Sequence, residues 1–137
     1  MSASFRAIAI VALLWNLIGV AMFYLQVTMS AETLAALPAE QRVVYETAPA
    51  WIDIAFAVAV FGGVFAALAL LLRSRLAVPL FAVSLLALLV QLGAVYALTP
   101  AFAASGVGGL ALPAALVLLG AVQLWYARRA RARGWLG

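Results

Sequence analysis

The sequence predicts an all-α integral membrane protein, an up-down-up-down bundle of four helices with short interfacial helices in its first outer loop. Of its 137 residues, 69% are hydrophobic and only 9% are charged, and the mean hydropathy is +1.22. A soluble domain of this size has too small an interior to bury so much apolar surface. The apolar residues also fall into four runs, each close to the roughly 20 residues that a membrane-spanning helix needs.

The four predicted spans cover residues 5–28, 50–72, 76–99 and 107–126, within a single domain over residues 1–137. The first run is longer than the apolar region of a cleaved signal peptide, so we expect it to remain as a span. Pro49 suits the first turn of the second span, and Pro100 ends the third. A short connection over residues 101–106 precedes the fourth span. In that span we expect neighbouring helices to accommodate a kink at Pro113.

The distribution of arginines predicts that both chain ends face the cytoplasm. Seven of the eight basic residues lie beside one set of span ends: Arg6, Arg73, Arg75, Arg128, Arg129, Arg131 and Arg133. Basic residues accumulate on the cytoplasmic side of membrane proteins, and the four acids here lie on the other side with Arg42. The net charge of +4 thus follows from topology and from attraction to the lipid bilayer, and it requires no nucleic acid partner.

The polar stretch between the first two spans predicts one or two short helices over the outer mouth of the bundle. Ser30 followed by Glu32 is typical of a helix start, and so is the segment from Leu37 to Glu40. A loop of this length is either functional or a cover for exposed helix ends.

Two faces of the predicted spans carry small residues at helical spacing. In the second span the stripe is Ala55, Ala59, Gly63 and Ala67, while Phe56, Phe61 and Phe65 point elsewhere. In the first span the corresponding face is Ala9, Ala12, Asn16, Gly19, Phe23 and Gln26. Helices in lipid associate by close backbone approach, so we expect both faces to look into the bundle.

The residue inventory argues against most enzyme chemistry. The chain has no Cys and no His, which removes the common metal ligands and catalysis by a His base or a Cys nucleophile. No catalytic residue, metal or cofactor is therefore predicted, and we expect the protein not to be an enzyme.

The candidate ligand-binding residues are the polar side chains of the spans. They are Asn16, Tyr24, Gln26, Asp53, Gln91 and Tyr96. Asp53 is either a structural acid at a helix start or a group linked to a ligand or a proton. The amides either bond between helices or line an outward-facing pocket for a neutral polyol or a lipid headgroup. Gln123 falls closer to the inner interface, near Arg128.

Four short segments resemble a group of small bacterial inner-membrane proteins with four helices, often labelled "sugar transporter". The segments are Trp15-Asn16-Leu17-Ile18-Gly19, Ala59-Val60-Phe61-Gly62-Gly63, Leu71-Leu72-Arg73 and Pro79-Leu80-Phe81. The resemblance covers nearly the whole chain and implies a location in the bacterial inner (cytoplasmic) membrane. It assigns no functional residues.

Two other groups of similar length fit less well. Small multidrug exporters carry a membrane-embedded Glu in their first helix, where this chain has Asn16, and they lack the long outer loop. Four-helix glutathione-dependent enzymes use a buried Arg, Glu and His set, and no Arg here lies within a predicted span.

Two functions remain open from the sequence. The first is binding or transport of a small neutral solute or lipid, by a homo-oligomer because four helices are few for a complete path. The second is a non-catalytic accessory or assembly subunit of a larger membrane complex, which would use the small-residue faces and bind no ligand.

Overall fold

The computed structural model describes residues 3–100 and 107–137, so the predicted connection over residues 101–106 lies outside the described part. The helices are α1 (Ala3–Val27), α2 (Ala31–Ala36), α3 (Ala39–Thr47), α4 (Trp51–Leu71), α5 (Ala77–Leu98) and α6 (Ala111–Ala132). A 3₁₀ turn over Val107–Leu110 leads into α6. The helices α1, α4, α5 and α6 are each long and apolar enough to span a membrane, which confirms the predicted four-helix membrane fold.

Helix α6 differs from its predicted span at both ends. It continues past Tyr126 to Ala132, so that Arg128, Arg129 and Arg131 lie on its final turns instead of in a tail. Alanine and arginine both favour helix, and cations near a helix C-terminus interact well with its dipole.

Pro113 lies in the first turn of α6, where its missing N–H breaks no hydrogen bond of that helix. The kink that we expected neighbouring helices to accommodate is therefore unnecessary.

The long helices pack in chain order, α1 on α4, α4 on α5, and α5 on α6. Helix α4 is the most enclosed of the four. Its small residues Ala59, Gly63 and Ala67 are buried and Ala55 is half-buried, while Phe61 and Phe65 are exposed. The predicted small-residue stripe therefore does face neighbouring helices. The expectation that Phe56 points elsewhere is wrong, because Phe56 is half-buried against Phe23 of α1.

The predicted inner face of α1 is also confirmed. Ala9 and Ala12 are buried, and Asn16, Phe23 and Gln26 are each half-buried, whereas residues between them along the helix are largely exposed. This arrangement places both amides of α1 on the side that packs against the rest of the bundle.

One end of the bundle, here called the arginine end, is closed by the C-terminal segment. The N–H of Gly137 donates to the carbonyl oxygen of Arg73 (2.7 Å), and the N–H of Arg75 donates to the carbonyl oxygen of Gly137 (3.1 Å). Leu136 is buried, and the ring of Trp135 meets Phe5 edge-on at 5.8 Å between centroids. The segment thus ties the α4–α5 turn to α1.

Helices α4 and α6 end in the same kind of C-terminal cap. The N–H of Ser74 donates to Ala69 and that of Trp135 donates to Ala130, each closing a Schellman motif. The left-handed position of the α6 cap is held by Gly134 at φ 76°, but in the α4 cap it is held by Arg73 at φ 59°.

The opposite end of the bundle carries the two short helices that the sequence predicts. Ser30 caps α2, its hydroxyl accepting a hydrogen bond from the N–H of Thr33 at 3.1 Å, and Pro38 precedes α3. Neither short helix has a buried residue.

Candidate functional site

The polar side chains of the spans divide into two clusters. The first, here called the central polar layer, consists of the side chains of Asn16, Ser84 and Gln123 together with Gly63, against whose backbone Asn16 packs. The Asn16 Nδ2 donates to Gln123 Oε1 (2.8 Å) and to the carbonyl oxygen of Ala12 (2.7 Å). The Gln123 Nε2 donates in turn to the carbonyl oxygen of Leu119 (3.2 Å). These bonds join α1 to α6 and give each of the two amides a partner within apolar helices.

Glycine is required on α4 for this layer to form. A Cβ built on Gly63 would lie 2.0 Å from Asn16 Oδ1 and 2.8 Å from its Cγ. The Asn16 carboxamide therefore rests directly on the α4 backbone, in space that any other residue would fill. On the α5 side, the Ser84 hydroxyl donates to the carbonyl oxygen of Ala59 at 2.5 Å. The layer thus contacts all four long helices.

The second cluster lies near the opposite end of the bundle from the arginines. The Gln26 Nε2 donates to Asp53 Oδ1 at 3.1 Å, which joins the end of α1 to the first turn of α4. Phe23 packs edge-on against Phe56 and Phe61, with centroid separations of 5.4 and 5.9 Å. A carboxylate in a first helical turn is stabilised by the helix dipole, and here it also accepts an amide hydrogen bond.

The remaining three candidates belong to neither cluster. Tyr24 is 64% exposed, while Gln91 and Tyr96 are half-buried. Among the described residues, none of these three side chains forms a hydrogen bond. The structure therefore brings Gln26 and Asp53 together and pairs Asn16 with a residue outside the candidate set, and the six-residue outward pocket stays a prediction.

Gln123 lies outside the candidate set, yet it is the residue that the structure pairs with Asn16. Side chains on a helix lean toward its N-terminus, so those of Asn16 and Gln123 lean toward each other from antiparallel helices. The direction of these two side chains on antiparallel helices was the signal that could have found the pair.

Two clefts formed by described residues are considered for a ligand, and neither is lined by a predicted candidate. One, of about 510 Å³, lies between α5 and α6 at the arginine end; it is lined by Leu85, Ala121, Leu124, Trp125, Arg128 and Arg129. The other, of about 460 Å³, lies between α2 and α3; it is lined by Ala31, Leu34, Ala35, Arg42 and Glu46. The first is here called the α5–α6 cleft.

The α5–α6 cleft combines charge with apolar walls. The guanidinium of Arg129 lies 5.4 Å from the centre of the Trp125 ring, within the range of a cation–π contact. Where α5 and α6 approach each other, Leu85 Cδ1 would lie 3.0 Å from a Cβ on Gly120. The side chain of Leu85 thus lies in the contact between the two helices and also forms one wall of the cleft.

Comparisons with protein-family models, with curated proteins and with solved structures find no match to this chain.

Proposed function

We propose that this chain is a non-catalytic, multi-pass protein of the bacterial cytoplasmic membrane that binds a lipid, with both chain ends in the cytoplasm. Of the two ligand classes that the sequence leaves open, a neutral solute and a lipid, the geometry favours the lipid. A polar solute needs an enclosed set of unpaired donors and acceptors. A lipid needs an open groove on the outer surface of the helices.

The distribution of polar partners supports this choice. Asn16 is paired with Gln123, and Gln26 is paired with Asp53, so four of the amide and carboxylate groups in the spans already have protein partners. Both bonds join different long helices, which is a structural role. A solute that used these four groups would compete with the bonds that they already make.

The observation that carries the proposal is the α5–α6 cleft. Its walls, Leu85 on α5 and Ala121 and Leu124 on α6, belong to helices apolar enough to span a membrane. A groove between two such helices is open to the acyl chains of the bilayer. The cleft is an open groove of about 510 Å³, which leaves room for part of an acyl chain on the surface of the two helices.

The test is native mass spectrometry of the full chain purified in a mild detergent. We expect lipid to stay bound at a defined stoichiometry after stepwise delipidation, and an Ala121→Phe variant, which fills the cleft, to lose it. The control is Ala97→Phe, since Ala97 is exposed on α5 and does not line the cleft.

Other outcomes of the same experiment would contradict the proposal. Lipid retained equally by both variants would show that the cleft is not the site. A stoichiometric partner protein with no retained lipid would instead favour the accessory or assembly subunit.

A further inference from the structure

We infer that the α5–α6 cleft selects an anionic phospholipid, whose phosphate lies between the guanidinium groups of Arg128 and Arg129. This inference rests on the proposed lipid-binding function and adds the chemical class of the headgroup. It follows from the charge of the cleft, from the lack of an internal counter-ion and from the change in polarity along the cleft.

The charge of the cleft is wholly positive. Arg128 and Arg129 are adjacent on the final turns of α6, both are exposed, and both line the cleft. Within residues 3–100 and 107–137, neither forms a salt bridge, since the ion pair found there is Arg42 with Glu46 at the other end of the bundle. Two guanidinium groups without a carboxylate partner form a site for an external anion.

The cleft changes from polar to apolar along α6. Arg128 and Arg129 lie toward the helix C-terminus, Trp125 lies one turn earlier, and Ala121 lies one turn earlier again. A lipid whose phosphate lies at the arginines therefore has its acyl chains along Ala121 and Leu85, toward the middle of the spanning helices. Trp125 lies between the two zones, where an indole ring is favoured at a membrane interface.

An amphiphile is the ligand whose charged headgroup and apolar chains match the charged and apolar parts of the cleft. Inorganic phosphate or a soluble phosphate ester would use the arginines and leave the apolar wall in contact with water. A zwitterionic lipid would use the wall, but its headgroup carries a compensating cation that the guanidinium groups repel. Basic pockets between spanning helices at a cytoplasmic interface are suited to anionic headgroups.

The experiment is a titration of the purified full chain with dioleoyl phosphatidylglycerol and, separately, with dioleoyl phosphatidylcholine, followed by native mass spectrometry. We expect tighter binding of phosphatidylglycerol. In the double variant Arg128→Gln with Arg129→Gln, its affinity should fall about 30-fold, which corresponds to about 1 kcal/mol for each basic residue close to anionic lipid. Glycerol 3-phosphate in excess should not displace the lipid.

The matched control removes two other charges from the same end. Arg131 and Arg133 are exposed and do not line the cleft, so Arg131→Gln with Arg133→Gln lowers the net charge equally and should leave phosphatidylglycerol affinity within about twofold of wild type. An equal loss in both double variants would overturn the site, because it would show only a general attraction between charges.

The two proposals fail in different ways. Equal affinity for both lipids, with loss of both in Ala121→Phe, would reject the charge selection and leave lipid binding standing. Displacement by glycerol 3-phosphate would show that the arginines recognise a soluble phosphate. No lipid bound to the wild-type chain would reject both proposals.

Discussion

The carboxamide oxygen of Asn16 lies where the side chain of residue 63 would begin, 2.0 Å from an ideal Cβ on Gly63. The Asn16 side chain cannot move away freely, because its Nδ2 is bonded to both Ala12 and Gln123. A polar group in α1 and a missing side chain in α4 are thus complementary.

Gly63→Ala should therefore destabilise the protein, by about 1–3 kcal/mol as for an overpacked core. The control is Gly62→Ala, where the nearest atom to the new Cβ is Ser84 Cβ at 3.5 Å, an ordinary contact. Gly62→Ala should be neutral or slightly stabilising, because alanine favours helix. Melting temperature in detergent measures both variants.

The Asn16→Ala background should rescue Gly63→Ala, since it removes the clashing atoms. We expect Gly63→Ala to be neutral or stabilising in that background. Strictly additive effects of the two substitutions would contradict the contact.

The hydrogen bond between Asn16 and Gln123 should appear as a coupling free energy in a double-mutant cycle of Asn16→Ala and Gln123→Ala. Hydrogen bonds between membrane helices contribute about 0.6 kcal/mol on average and up to about 1.7 kcal/mol. Reversible unfolding in mixed detergent measures the coupling. A cycle of Asn16→Ala with Gln91→Ala serves as the control and should show no coupling, and a zero value for the first cycle would contradict the bond.

Replacement by leucine should lower the melting temperature at Asp53 but not at Gln91. Asp53→Leu removes the acceptor for Gln26 and should lower the melting temperature, whereas Asp53→Asn keeps an acceptor oxygen and should be milder. Gln91→Leu should not destabilise the protein, because no hydrogen bond holds Gln91 within the described residues. Destabilisation by Gln91→Leu as large as that by Asp53→Leu would place Gln91 in an unrecognised polar network.

The two C-terminal caps should respond oppositely to substitution. Arg73 occupies the left-handed region at φ 59°, so Arg73→Gly removes strain and should be neutral or stabilising despite the loss of its Nε bond to the carbonyl oxygen of Trp135. Gly134→Ala introduces the same strain at φ 76° and should destabilise by about 1 kcal/mol. Thermal unfolding of the two variants measures the difference, and equal signs would be inconsistent with these cap geometries.

The proposed orientation can be checked with single cysteines in this Cys-free chain. Ala39 begins α3 and Ala132 ends α6, and both are exposed at opposite ends of the bundle. An impermeant maleimide added to intact cells should label Ala39→Cys and spare Ala132→Cys. After permeabilisation, both variants should react, and labelling in the reverse pattern would invert the topology.

The sequence by itself determined the helices and the faces that they bury. Long apolar runs specify spans, and Ser30 and Pro38 mark the starts of α2 and α3 through local backbone chemistry. The small residues at Ala59, Gly63 and Ala67 likewise predicted where α4 packs, because helical spacing alone places them on one face. These features depend on neighbours within a few residues along the chain.

Only the tertiary structure decided the partners of the polar groups. Asn16 and Gln123 lie far apart in sequence, and their pairing depends on the direction of each side chain and on how α1 and α6 pack. The α5–α6 cleft is a surface between two helices, so no single stretch of sequence encodes it. Interhelical distances and side-chain directions set these features, and neither is fixed until the helices have packed.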